Sequence, residues 1–97
     1  MEKAVNLPSL ELLEQRHSFP CHYTMKAIGS AEDNFTARVL SAVRDELKLD
    51  ADPPFRLQST KGGRHVSITI EPMFESPQQV LALYSRLSQL AGLVMLL

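Results

Sequence analysis

The stretch QSTKGGRHVSITIEP (residues 58–72) can be read in two ways, and the fold follows from the choice. Two glycines beside a lysine and a threonine suggest a phosphate cradle. Such a loop needs G-x-x-x-x-G-K-[ST] opening a helix, so that backbone N–H groups and the helix end meet the phosphate oxygens. Here Lys61 precedes Gly62 and Gly63, and a strand follows instead: Val66, Ile68 and Ile70 alternate with His65, Ser67, Thr69 and Glu71. The G-x-G-x-x-G fingerprint is absent too. Adjacent glycines are what a tight turn with positive φ requires. The loop is therefore read as a hairpin turn. Its first strand, FRLQST, directs Phe55 and Leu57 inward and Arg56, Gln58 and Thr60 outward.

Working upstream, FPCHYTMKAIG (residues 19–29) alternates as a half-buried strand. Cys21, Tyr23, Met25 and Ala27 share one face, His22, Thr24, Lys26 and Ile28 the other, and Gly29 ends it. SAEDNFTARVLSAVRDELKL reads as a helix with Ser30 as cap, Asp33 in the place of a capping-box glutamate, and Phe35, Val39, Leu40, Val43 and Leu47 as its buried stripe. The prolines of DADPP stop it. Downstream of the hairpin, Ser76, Pro77 and Gln79 open a second helix. Val80, Leu83, Tyr84, Leu87, Leu90 and Ala91 form its apolar face, and Gly92 terminates it. LVMLL is a last strand, apolar at every position. Before all this, PSLELLEQRH holds a short helix starting near Pro8, with Leu10, Leu12 and Leu13 as a small apolar face.

The order is β-α-β-β-α-β after an N-terminal arm: residues 1–18 form the arm and 19–97 a single α+β domain. Two split β-α-β crossovers place both helices on one face of a four-stranded antiparallel sheet. This is the ferredoxin-like sandwich, with the first and third strands central and the opposite sheet face open. Ninety-seven residues suffice for one modest core. A formal net charge of −1 gives no global field toward nucleic acid or anionic lipid. The single Cys21 cannot staple the fold, no apolar run nears the roughly 20 residues that span a bilayer, and the start MEKAVNLPSLELLEQ is too broken for a signal peptide. A cytoplasmic location is expected, with no membrane association.

Charge is uneven. Lys26, Arg56, Lys61 and Arg64 belong to the strands or their hairpin, whereas the first long helix carries Glu32, Asp33, Asp45 and Glu46. That pattern predicts a basic open sheet suited to an anionic partner, with Lys26, Arg56, Lys61, Arg64 and His65 as its binding residues. The bland alternative is a solvated face decorated against sheet-to-sheet association. An RNA-binding domain would use the same face but needs stacking aromatics on its central strands; His22 and His65 could stack there, but no Phe, Tyr or Trp stands at the outward positions. His22 and His65 are expected at opposite ends of the sheet. Cys21 points to the other face as a small buried hydrophobe, so no metal cluster or Cys–His pair assembles. Glu71 is expected beside His22 as a cross-strand ion pair. Val94 and Leu96 would face the open side on an edge strand that needs cover from the arm or from a second copy.

FPCHYTMKAIG together with STKGGRHVSITI resembles the YbeD-like family of small bacterial proteins. Phe19, Pro20, Lys26 and Gly29 match its opening strand, Ser59, Lys61 and Gly62 its hairpin, and residues 66–70 its third strand. ELLE matches its N-terminal lead-in and LVMLL its last strand. Two departures stand out: the hairpin lacks the family's aromatic and one further residue, and QRHS lengthens the link before Phe19. The resemblance implies the β-α-β-β-α-β fold and a likeness to small-molecule-sensing ACT-like domains. It implies no reaction, and it draws attention to Lys26 and Lys61.

The function expected is a non-enzymatic binding or regulatory module, without cofactor, that senses an anionic small molecule or protein partner at its open sheet or edge. The alternatives are a weak RNA-binding domain and a subunit that forms a homodimer through its C-terminal edge strand.

Overall fold

In the computed structural model, which describes residues 4–97, the chain runs β1 (Ala4–Val5), α1 (Leu10–Arg16), β2 (Cys21–His22), β3 (Met25–Ser30), α2 (Phe35–Leu47), β4 (Phe55–Ser59), β5 (His65–Ile70), β6 (Met73–Phe74), α3 (Pro77–Leu87) and β7 (Leu93–Leu96). The main sheet has the order β1-β7-β3-β5-β4. Its four later strands are antiparallel throughout, with β3 and β5 central. That is the ferredoxin-like sandwich.

The hairpin forms for the reason its glycines give. Gly62 and Gly63 have φ of 91° and 72°, and the Gly63 N–H donates to the Thr60 carbonyl at 2.9 Å. Beyond the turn, the Thr60 N–H donates to the His65 carbonyl (3.0 Å) and closes the ladder. Met25, Ala27, Ile68 and Ile70 are buried beneath the helices. They meet Phe35, Val39, Leu40, Val43 and Leu47 of α2 and Val80, Leu83, Tyr84 and Leu87 of α3 in one core. Each helix spends its 3.6-residue stripe on the same sheet face, so burial of that face is the main stabilising term.

Several local expectations give way to packing. Ser30 does not cap α2, because it is the last residue of β3, where its N–H donates to the Gly92 carbonyl (2.9 Å). Asp33 and Asn34 instead take left-handed conformations (φ 59° and 56°) and turn the chain into the helix, a geometry that short polar side chains tolerate. Asn34 is the cap residue but makes no side-chain capping bond. Pro8 lies before α1 rather than in its first turn, and Ser9 caps the helix by accepting the Leu12 N–H at 3.1 Å. The Ser76 cap of α3 is as expected: Ser76 Oγ accepts the Gln79 N–H (3.2 Å), and Gln79 Oε1 accepts the Glu75 N–H (2.7 Å). That helix stops at Leu87, however, so Ala91 lies exposed outside it, and Gly92 (φ 90°) serves the turn into β7.

The first predicted strand is two pieces. β3 begins at Met25, while Cys21 and His22 pair with Phe74 and Met73 in a separate ribbon. Cys21 is half-buried there rather than part of the core. Gly29 continues β3 instead of ending it, and a bulge between Ile28 and Gly29 changes the phase of the last strand. Ala27 pairs with Leu96, and Ile28 with Met95. Leu96 therefore joins the core, and Met95 takes the open-side position expected of Leu96.

The largest correction concerns β4. Phe55 and Leu57 do lie on the helix side, opposite Ile70 and Ile68, yet they are 40% and 52% exposed. The helices cover β3 and β5 and leave the outermost strand bare on that side. At the other edge, β7 is not terminal in the sheet. β1 pairs with it in parallel, Ala4 with Met95 and Val5 with Leu96, so the predicted arm supplies the cover. Residues 1–3 of that arm lie outside the described residues. α1 goes further and buries Leu13 in the core against α3. A homodimer through the C-terminal strand would first have to displace β1.

Candidate anion-binding face

The side of the sheet away from the helices takes its composition from strand alternation and its geometry from register. Lys26 on β3 pairs with Thr69 on β5, and Thr69 pairs with Arg56 on β4. The next row on the same face is Ile28, Ser67 and Gln58. Adjacent strands lie about 4.8 Å apart, so the Lys26 and Arg56 backbones stand roughly 10 Å apart with one hydroxyl residue between them. Both side chains are long enough to reach a ligand held above that middle strand.

Two shallow depressions record the arrangement. One, of about 290 Å³, is lined by Lys26, Arg56, Leu57, Gln58, Ser67 and Thr69. The second, of about 350 Å³, shares Lys26, Gln58 and Ser67 and extends over Thr60 to Lys61 at the hairpin. Ser67 forms their common floor and is the one buried polar residue of the described chain, at 7% exposure. A small hydroxyl flanked by two cations and an amide is the chemistry that receives carboxylate or phosphate oxygens.

The cations are not consumed by neighbours. Arg56 lies 3.8 Å from the Glu71 carboxylate, but its side chain is 75% exposed, and exposed pairs of that length contribute about 0–1 kcal/mol. Lys26 forms no ion pair among the described residues. On the helical side the charges satisfy one another: Arg86 contacts Asp45 (2.6 Å) and Glu46 (3.6 Å), and Arg44 bonds Asp52. Hydrogen bonding to Asp45 is the main cause that holds the Arg86 pKa above its ordinary value.

The five predicted binding residues therefore separate. Lys26, Arg56 and Lys61 line the depressions. Arg64 sits at the hairpin tip, where its carbonyl accepts the Ala31 N–H (3.0 Å). His65 pairs with Ser30, four residues along β5 from Thr69 and so about 13 Å away along the strand. Ser67, Thr69 and Gln58 are the members that residue type alone did not single out. Period-two alternation does put them on the same face as Lys26 and Arg56. The His22 contact differs from expectation as well: His22 Nδ1 lies 3.0 Å from the Glu71 backbone carbonyl, while the Glu71 side chain turns to Arg56. His22 and His65 lie toward opposite ends of the β3–β5 ladder, as expected from the strand directions. Among the described residues no set of three or more His, Cys, Asp or Glu side chains converges as metal ligands, and no helix is long and apolar enough to cross a membrane.

The fold and this face define a small α+β domain of ferredoxin-like architecture with a polar, cation-bearing open sheet. The chain belongs to the family described as protein of unknown function (DUF493), whose model matches residues 14–97; this is the YbeD-like group of small bacterial proteins. It is similar to a UPF0250 protein of Idiomarina loihiensis, at 35% identity over 72 residues covering 74% of this chain and 80% of the relative. A UPF0250 protein of Haemophilus ducreyi is 29% identical over 99 aligned positions, spanning the whole of both chains. One from Shewanella woodyi is 33% identical over 82 residues, 84% of this chain and 86% of the relative.

Proposed function

We propose that this chain is a non-enzymatic, cytoplasmic regulatory module that binds a small carboxylated or phosphorylated molecule on its open sheet face. The observation that carries this reading is the row Lys26–Thr69–Arg56 above the Ser67 floor, with Lys61 at one end. A ligand there would meet two or three cations and two hydroxyls while leaving the core untouched. The central strands offer RNA bases no Phe, Tyr or Trp on this face, so a small anion fits better than a nucleic acid.

Amide NMR of labelled protein, titrated with citrate, inorganic phosphate and ADP and then with a short RNA, tests the proposal. Saturable shifts centred on Lys26, Arg56, Ser67 and Thr69 are expected with at least one small anion. Lys26→Ala and Arg56→Ala should each weaken that binding about tenfold, the loss of one charge-assisted contact. No saturable shift with any of the small anions, or binding only to RNA with a steep salt dependence, would overturn the reading.

A further inference from the structure

The two edges of the main sheet differ. The β1 edge is two residues long, whereas β4 is five residues long and all of them are exposed. Its main-chain groups divide by parity. The Pro54 carbonyl accepts the Glu71 N–H and the Thr60 N–H donates to the His65 carbonyl, both at 3.0 Å. In an antiparallel ladder the even-numbered residues thus face β5, and Phe55, Leu57 and Ser59 turn their N–H and C=O groups away from the sheet. Natural edges are blunted by lysine, proline, bulges or very short strands. Phe55–Ser59 contains no lysine or proline and a single charge, Arg56, and its register with β5 runs without a shift. The same residues that turn their backbone outward also carry the exposed Phe55 and Leu57 side chains.

We propose that β4 is a self-pairing edge: two copies of this chain join β4 to β4, antiparallel, about a two-fold axis at Leu57, into one continuous sheet. The strand selects both the occupant and the register. Centring on Leu57 pairs all five residues, setting Leu57 against Leu57, Phe55 against Ser59, and Arg56 against Gln58. Moving the axis from Leu57 to Arg56, a slip of two residues between the strands, would place Arg56 directly opposite Arg56, a like-charge pair that destabilises a ladder. Charge beyond the strand agrees. The loop before β4 carries exposed Asp50, beside the Asp52 that Arg44 already engages, and the hairpin after it carries exposed Lys61 and Arg64. Antiparallel pairing brings the basic tip of each copy beside the acidic loop of the other, twice, which a second copy supplies without any other partner. An isologous contact of this kind closes on itself and stops at two.

Sedimentation equilibrium from micromolar to millimolar protein, at low and high salt, tests the pairing. A monomer–dimer equilibrium weakened by salt is expected, with the dissociation constant of Leu57→Lys raised at least about tenfold, one charge being set against its copy. A Cys21→Ala/Leu57→Cys variant gives an independent readout of register. Hydrogen-bonded partners lie about 5.5 Å apart at Cα, within disulfide range, so oxidation should link the copies through position 57. The proposal is overturned by a unaltered protein that stays monomeric throughout, by a dimer indifferent to a folded Leu57→Lys, or by failure of position 57 to cross-link. If Leu57→Lys does not fold, the cross-link alone decides.

Discussion

Gly29 shows how much one missing methyl group can determine. A Cβ built there would lie 2.4 Å from the Phe35 ring, which is itself almost fully buried. The added methyl would force that buried ring aside, so Gly29→Ala should lower stability by about 1–3 kcal/mol, in the range of other overpacked sites. Urea unfolding would measure it; an unchanged midpoint would mean that Phe35 can move after all. Tyr84 offers a pH-dependent counterpart. Burial, and then its hydroxyl contact with Tyr23 (3.3 Å), raise the Tyr84 pKa well above the ordinary value of 10.0. A raised folded-state pKa means that the folded form holds the proton more tightly. This contribution is complete below the unfolded pKa and is lost as pH climbs past it toward the folded one. Stability should therefore fall above about pH 10, and Tyr84→Phe should flatten part of that alkaline loss. Denaturant midpoints of both proteins across the alkaline range would reveal any difference; parallel curves would exclude the effect.

At the scale of elements, α1 is the one whose role changes most between sequence and structure. Its leucines look alike in the sequence, yet Leu13 is buried and Leu12 is 44% exposed. Leu13→Ala should cost about 2–4 kcal/mol as a core truncation, whereas Leu12→Ala should stay within about 0.5 kcal/mol. Equal effects in urea titrations would show that α1 does not dock as described. The same contrast explains what could be read in advance. Period-two and period-3.6 patterns identified β3, β5, α2 and α3 and most of the core, because those patterns are imposed by burial on one side; β4 alternates likewise, though its Phe55 and Leu57 stay exposed. The Asn34 turn, the bulge after Ile28 and the pairing of β1 with β7 were not legible, because each depends on which distant strand lies alongside. For the same reason Lys26 and Arg56 could be placed on one face but not in one row, and Thr69 and Ser67 did not stand out until register set Thr69 between them and Ser67 in the row beside.

Considered whole, the molecule separates its charges by function of position. On the helical side Arg86 is held by Asp45 and Glu46 and Arg44 by Asp52, while the cations of the open face look outward, so a chain of net charge −1 still presents a locally positive surface. The two ends of its sheet differ in the same way, β4 bare and β7 covered by β1. That cover has a mechanical side. β1 and β7 run parallel, joined in part by the Asn6 N–H to the Leu96 carbonyl at 2.9 Å. Tension drawn outward from Ala4 and from Leu96 would drag the two strands past each other in shear, loading their bonds together instead of peeling them singly. With two residue pairs in the clasp among the described residues, it would slip before the β3–β7 and β3–β5 ladders yielded. Under a pull, the N-terminal strand would come away first and the sandwich would hold on without it, as a chain with a fuse.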